Sequence, residues 1–249
     1  MQVVVKSLLT SYVRIGRGRP VLILHGWGDT GRSWYGFAEQ LAKHYEVIVP
    51  DLPGFGDSQT PQEVWSLDDY AVFVSAFTRK VGVQPYAVIG HSNGGAIAIQ
   101  GITTSRMRSE RLVLLASSGI RGEDKGRRTA WKIVAKTGKA IVAPLPTSTK
   151  QKLRRKLYRA AGSDMLVAEH LQETFKNVVG QDMRHVASEV DVPTLLVYGE
   201  ADTDTPPHYG ELLAAAIHGS QFKLLPSTGH FLQIDSPTEV LQLVEDFLQ

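Results

Sequence analysis

The chain has 249 residues, 43% of them apolar and 21% charged, with a net charge of +2. That length suits one hydrophobic core, and the near-neutral balance argues against a polyanionic partner such as nucleic acid. The absence of cysteine excludes disulfides, thiolate metal sites and a cysteine nucleophile.

In chain order, Gln2–Lys6 and Ser11–Gly16 predict an antiparallel hairpin added to a larger sheet. The continuous apolar runs Val21–Leu24, Val47–Val49, Tyr86–Gly90, Leu112–Ala116 and Thr194–Gly199 have strand length. They lack polar alternation, as strands covered on both faces of a parallel sheet do. Between them, Ser33–Lys43, Leu67–Val81, Asn93–Met107, Tyr209–Ile217 and Pro237–Leu248 are amphipathic and predict helices on both faces of that sheet. Ser236, Pro237 and Glu239 supply an S-x-x-E start signal for the last helix. No apolar run exceeds about five residues, against the roughly 20 needed to span a bilayer. The start, MQVVVKSLLT, has no apolar core followed by a small-residue cleavage site, so a cytoplasmic protein without integral membrane association is expected.

From Gly119 to Asp191 the alternation stops, and the text reads as helices and loops with a charge balance of +7, leaving about −5 for the rest of the chain. An insertion of different composition between two strands predicts a lid (119–191) over the carboxyl edge of a core made of residues 1–118 and 192–249. Lys150–Gly162 carries six cationic residues around an apolar stripe of Leu153, Leu157 and Ala160/Ala161. It is read as a solvated outer face, or as a surface attracting an anionic substrate or membrane. Trp131–Pro146 has a mixed apolar face suited to lining a substrate entrance.

Gly90-His91-Ser92-Asn93-Gly94 matches G-x-S-x-G between a strand and a helix. A serine at such a corner is a turn-former or a nucleophile. As a nucleophile it needs a base and a group to orient that base. Asp202 follows the Thr194–Gly199 strand and His230 follows a later one, in the order Ser, Asp, His. With HGWGD (His25–Asp29), DLPGFGDS (Asp51–Ser58), GEAD before Pro206 and GHF before Pro237, the sequence resembles the α/β-hydrolase superfamily and its small, lidded, esterase-like branch.

That resemblance implies an α/β-hydrolase fold: a mostly parallel eight-stranded sheet flanked by helices, with a helical lid after the sixth strand. It implies Ser92 as nucleophile, His230 as general base and acid, and Asp202 as orienting carboxylate, with Asp204 the rival on the same loop. The backbone N–H groups of Trp27 and Asn93 would form the oxyanion hole, and Trp27, Asn93 and Phe231 would contact substrate. His25, His91, Asp51 and Asp57 are expected to organise structure, and Asp235 to be a helix-approach or surface residue. The expected activity is carboxylesterase action on small to medium acyl esters. Thioester or carbon–carbon bond hydrolysis of an anionic metabolite, or ligand binding without catalysis, are the alternatives. No cofactor and no metal is implied, since the eight histidines form no ligand motif. The partner is a small-molecule ester, and the oligomeric state is unspecified.

Overall fold

In the computed structural model, which describes residues 1–120, 169–179 and 181–249, the apolar runs assemble into one eight-stranded sheet. Its strands are β1 (Gln2–Val5), β2 (Leu8–Gly16), β3 (Pro20–Leu24), β4 (Glu46–Pro50), β5 (Ala87–His91), β6 (Arg111–Leu115), β7 (Thr194–Gly199) and β8 (Gln221–Leu225). Their spatial order is β1-β2-β4-β3-β5-β6-β7-β8. The β1–β2 hairpin is antiparallel, with Gln2 opposite Ser11, and β2 is antiparallel to β4; every neighbouring pair from β4 to β8 is parallel. This is the expected mostly parallel architecture.

The helices are α1 (Tyr35–Leu41), α2 (Leu67–Lys80), α3 (Asn93–Thr103), α4 (Gln172–Val179), α5 (Arg184–Ala187), α6 (Pro207–Ala216), α7 (Leu232–Asp235) and α8 (Pro237–Leu248). Strand side chains alternate between faces. Leu22, Val88, Leu112 and Leu196 join residues of α2, α3 and α6 in one core, while Val21, Ile89, Val113 and Leu195 join residues of α1 and α8 in the other. Both faces are covered, which explains why the strand segments read as unbroken apolar runs.

Two sequence expectations change at helix ends. Ser236 makes no capping bond to α8, although Pro237 does open that helix. The reason is crowding: Ser236 also terminates α7, donating its N–H to the Leu232 carbonyl at 2.9 Å, and its hydroxyl is taken by Thr228 at 2.7 Å. A capping box forms instead on α2, where the Asp69 N–H donates to the Ser66 hydroxyl and the Ser66 N–H to Asp69 Oδ2 (3.2 and 2.8 Å). An N-cap of this type contributes about 1 kcal/mol. The other change is at α3, which stops at Thr103 because Ser105 turns left-handed (φ 54°) and the Met107 N–H folds back to the Gly101 carbonyl at 2.8 Å.

Strand order reverses at β3: β4 lies on one side of it and β5 on the other. The loops leaving the carboxyl ends of β3 and β5 therefore part to opposite faces and leave a crevice between them, the place where open α/β sheets hold ligands. Of the segment 119–191, the described part comprises its start and its return through α4 and α5, where the Met183 N–H donates to the Gly119 carbonyl at 2.7 Å. Lys150–Gly162 and Trp131–Pro146 lie outside the described residues. Among the described residues, no helix is long and apolar enough to cross a membrane.

Candidate active site

Ser92 stands between β5 and α3 with φ 49° and ψ −118°, outside the conformations a serine adopts without strain. Two glycines make that corner possible. A Cβ on Gly90 would come within 2.5 Å of Gly95 Cα, and one on Gly94 would overlap the Leu24 carbonyl. The corner is tied to the β6 side of the sheet: the Ser92 N–H donates to the Leu115 carbonyl, and the Ser118 N–H donates to the Ser92 carbonyl (3.1 and 3.0 Å).

The loop after β3 closes over the same corner. A Cβ on Gly26 would meet Ser92 Cβ at 3.1 Å and His91 Nδ1 at 3.0 Å. This approach sets Gly26, the residue before Trp27, against Ser92. Asn93, the first residue of α3, has no intrahelical acceptor for its N–H, which lies at the positive end of the helix. Among the described residues, no protein acceptor engages the N–H of Trp27 or of Asn93.

The loops after β7 and β8 bring Asp202 and His230 into contact, with His230 Nδ1–H donating to Asp202 Oδ2 at 2.8 Å. Asp202 is buried, and its other oxygen accepts the N–H groups of Asp204 and Thr205 (2.8 and 3.0 Å). Burial alone would raise the pKa of this carboxyl; the His230 bond and charge, then the Thr205 bonds, outweigh it and hold it below the ordinary value. Asp204 is exposed. Its carboxylate lies within 4.8 Å of the other two groups, and Asp202, Asp204 and His230 are the set among the described residues that could in principle hold a cation.

Thr205 went unnoticed in the sequence. Its hydroxyl lies 2.8 Å from Asp202 Oδ2, 2.9 Å from the Ala116 carbonyl and 3.2 Å from His230 Nδ1. With one proton it can donate to only one acceptor at a time, and it links the acid, the imidazole and the end of β6. The available signal was the Asp-x-x-Thr spacing, in which a carboxylate accepts N–H groups two and three residues later.

Of the remaining polar residues, His25, Asp51, Asp235 and His91 bond neighbouring backbone, while the exposed Asp57 takes part through its own N–H. His25 donates from Nδ1 to the Gly26 carbonyl at 2.8 Å and accepts the Leu52 N–H at Nε2 at 2.9 Å. Asp51 accepts the N–H groups of Gly31 and Asp57 (2.7 and 3.0 Å), and Asp235 accepts that of Gly229 at 2.9 Å. His91 Nε2 lies 3.0 Å from the His230 carbonyl. A carbonyl only accepts, so Nε2 carries the proton. The residue preceding the serine thus holds the backbone of His230, with the two rings 4.8 Å apart. Phe231, 43% exposed, places its ring 5.4 Å from His230 and 5.7 Å from His91.

A model of the alpha/beta hydrolase family matches residues 21–243. The chain belongs to that family. Among curated relatives of this hydrolase, an uncharacterised protein of Mycobacterium tuberculosis is 26% identical, the match covering 94% of this chain and 76% of the relative. The pimeloyl-[acyl-carrier protein] methyl ester esterase of Aeromonas salmonicida is 28% identical, covering 96% and 98%. Among solved structures, a membrane phospholipase A described as a bacterial virulence factor superposes with a TM-score of 0.80 at 23% identity, covering all of this chain and 84% of that one. This likeness is one of fold.

The hydrolase carries a pH liability in His91. Burial, then the charge of His230, pushes its imidazole down from 6.5 to about 4, and the ring is 1% exposed. The unfolded chain therefore binds a proton that the folded chain refuses, and stability falls as pH drops from 6.5 towards 4. At 1.36 kcal/mol per unit, the full loss is about 3 kcal/mol, of which about 2 is reached by pH 5. Burial lowers His25 in the same sense. Urea unfolding at pH 7.5 and pH 5 should show this loss, and equal stabilities at the two values would contradict it.

Proposed function

We propose that the protein is a serine hydrolase that cleaves carboxylic esters of small to medium acyl groups through an acyl-enzyme. The observation that carries this reading is the bond between His230 and buried Asp202, with the His230 ring 4.8 Å from that of His91, the residue before a serine on a strained, glycine-cleared corner. In it, Ser92 Oγ attacks the ester carbonyl while His230 Nε2 takes its proton. Asp202 holds the ring with Nδ1 protonated and stabilises the imidazolium that forms. The tetrahedral oxyanion is met by the N–H groups of Trp27 and Asn93, already fixed by the β3 loop and the α3 terminus. His230 then protonates the departing alcohol, and water attacks the acyl-serine by the reverse roles. The esterase activity named for the Aeromonas salmonicida relative agrees with this chemistry.

Trp27, Asn93 and Phe231 line the substrate path in this reading, and the segment 119–191 acts as its lid. Phe175, on the returning helix α4, packs 5.1 Å from the Trp27 ring, and the Trp65 N–H donates to Thr174 at 3.1 Å, so α4 is anchored beside the site. The purified protein should hydrolyse p-nitrophenyl acetate and butyrate. The rate should rise between about pH 5 and 8, because the base accepts a proton only when neutral. No hydrolysis, or a flat profile across that range, contradicts the proposal.

A further inference from the structure

Among the described residues, the side chains of Asn93 and Trp27 leave a complementary set of buried polar atoms unbonded near the proposed nucleophile. Asn93 is 4% exposed, yet among the described residues neither its Oδ1 nor its Nδ2 has a hydrogen-bond partner, and the buried indole Nε1 of Trp27 also has none. Catalysis as derived above asks only for the backbone N–H of these two residues. An apolar side chain at 93 would serve that purpose without leaving an amide unpaired. Buried polar groups are ordinarily satisfied, so these atoms call for a partner that the described residues do not supply.

Both side chains adjoin the same core cluster. Gly26 touches the Ser92 corner, and the adjacent Trp27 ring sits between Phe55 at 4.9 Å and Phe175 at 5.1 Å. Asn93 shares a helix face with Ala96 and Ile97, three and four residues on, and both belong to the core cluster on which Trp27 packs. Among the described residues, His91 Nδ1 is also unpaired but lies under the β3 loop, where a Cβ on Gly26 would meet it at 3.0 Å; the set on Asn93 and Trp27 is two donor atoms, Trp27 Nε1 and Asn93 Nδ2, and one acceptor, Asn93 Oδ1. It is the same set whichever way the amide is turned. A secondary amide complements it: a carbonyl with two lone pairs to receive both donors, and one N–H to donate. Apart from histidines, the buried titratable charges among the described residues are the acids Asp51 and Asp202, so the matching group is neutral.

Resting on the reading of Ser92 as nucleophile, we propose that the Asn93 side chain and the Trp27 indole form a recognition subsite for a secondary amide carried by the ester substrate close to its scissile carbonyl. The amide orients the ester for attack and satisfies atoms that an all-hydrocarbon acyl group leaves bare.

The test compares p-nitrophenyl N-acetylglycinate with its hydrocarbon isostere, p-nitrophenyl 4-methylpentanoate, each kcat/KM being divided by the hydroxide-catalysed rate constant of the same ester. The normalised ratio should favour the amide ester at least tenfold in the wild type. It should fall at least tenfold in Asn93→Leu, and by a smaller factor in Trp27→Phe, which keeps the backbone N–H. A wild-type ratio of one or below overturns the proposal whether or not either variant folds, as does a ratio that Asn93→Leu leaves unchanged; the amide then holds only water. In Ser92→Ala, N-acetylglycine methyl ester should bind at least tenfold more tightly than methyl 4-methylpentanoate, and equal binding overturns the proposal. This arm is independent of turnover: absence of wild-type hydrolysis with selective binding would refute the esterase reading and leave the subsite standing.

Discussion

Ser92→Ala is expected to lower kcat for p-nitrophenyl butyrate by about 10⁶-fold, the scale seen when the nucleophile of a comparable triad is removed. The fold should survive the change. The bonds that fix this corner are those of the Ser92 backbone to Leu115 and Ser118, and the clearances at Gly90 and Gly94 are untouched by losing a hydroxyl. Thermal unfolding should therefore shift little while turnover disappears. A variant that melts normally and retains most of its activity would remove Ser92 from the chemistry and leave hydrolysis to another group.

The next largest effect is expected at Asp202. Asp202→Asn should cost about 10⁴-fold in kcat, because an amide in place of Oδ2 can present a donor to the His230 Nδ1–H and favours the wrong tautomer. The carboxylate also gathers the N–H groups of Asp204 and Thr205 and the Thr205 hydroxyl, so part of the loss is positional. Asp204→Asn should change kcat by less than about threefold, since an exposed carboxylate is screened by solvent. The pair of variants discriminates sharply: a larger loss at Asp204 would transfer the orienting role to it. The depressed pKa of Asp202 adds a stability signature. Its contribution is present above the ordinary carboxyl pKa of 3.8 and is lost as pH falls below it, whereas the loss from His91 begins near 6.5.

Much of the architecture was legible because covered strands and glycine-flanked corners have local causes. Each apolar run became a strand with ends within two residues of expectation, and G-x-S-x-G marked the β5–α3 corner since only small residues fit where Gly90 meets Gly95. Helix ends were less legible. Ser236 has the residue type of a cap, but its hydroxyl went to Thr228, a partner eight residues away that no local pattern reveals. Thr205 was missed because its role depends on Ala116 and His230, which belong to other loops.

The chain's own pattern determined the alternation of strands and helices, the corner at Ser92 and the pool of candidate acids, bases and donors, because these follow from side-chain size, periodicity and backbone freedom over a few residues. Tertiary structure alone decided that Asp202 rather than Asp204 bonds His230, that His91 holds the His230 backbone, and that the Asn93 amide and the Trp27 indole nitrogen are buried without a partner among the described residues. Each of these depends on the relative placement of loops from β3, β5, β7 and β8, which is set by how the sheet packs its two cores and by the strand reversal at β3.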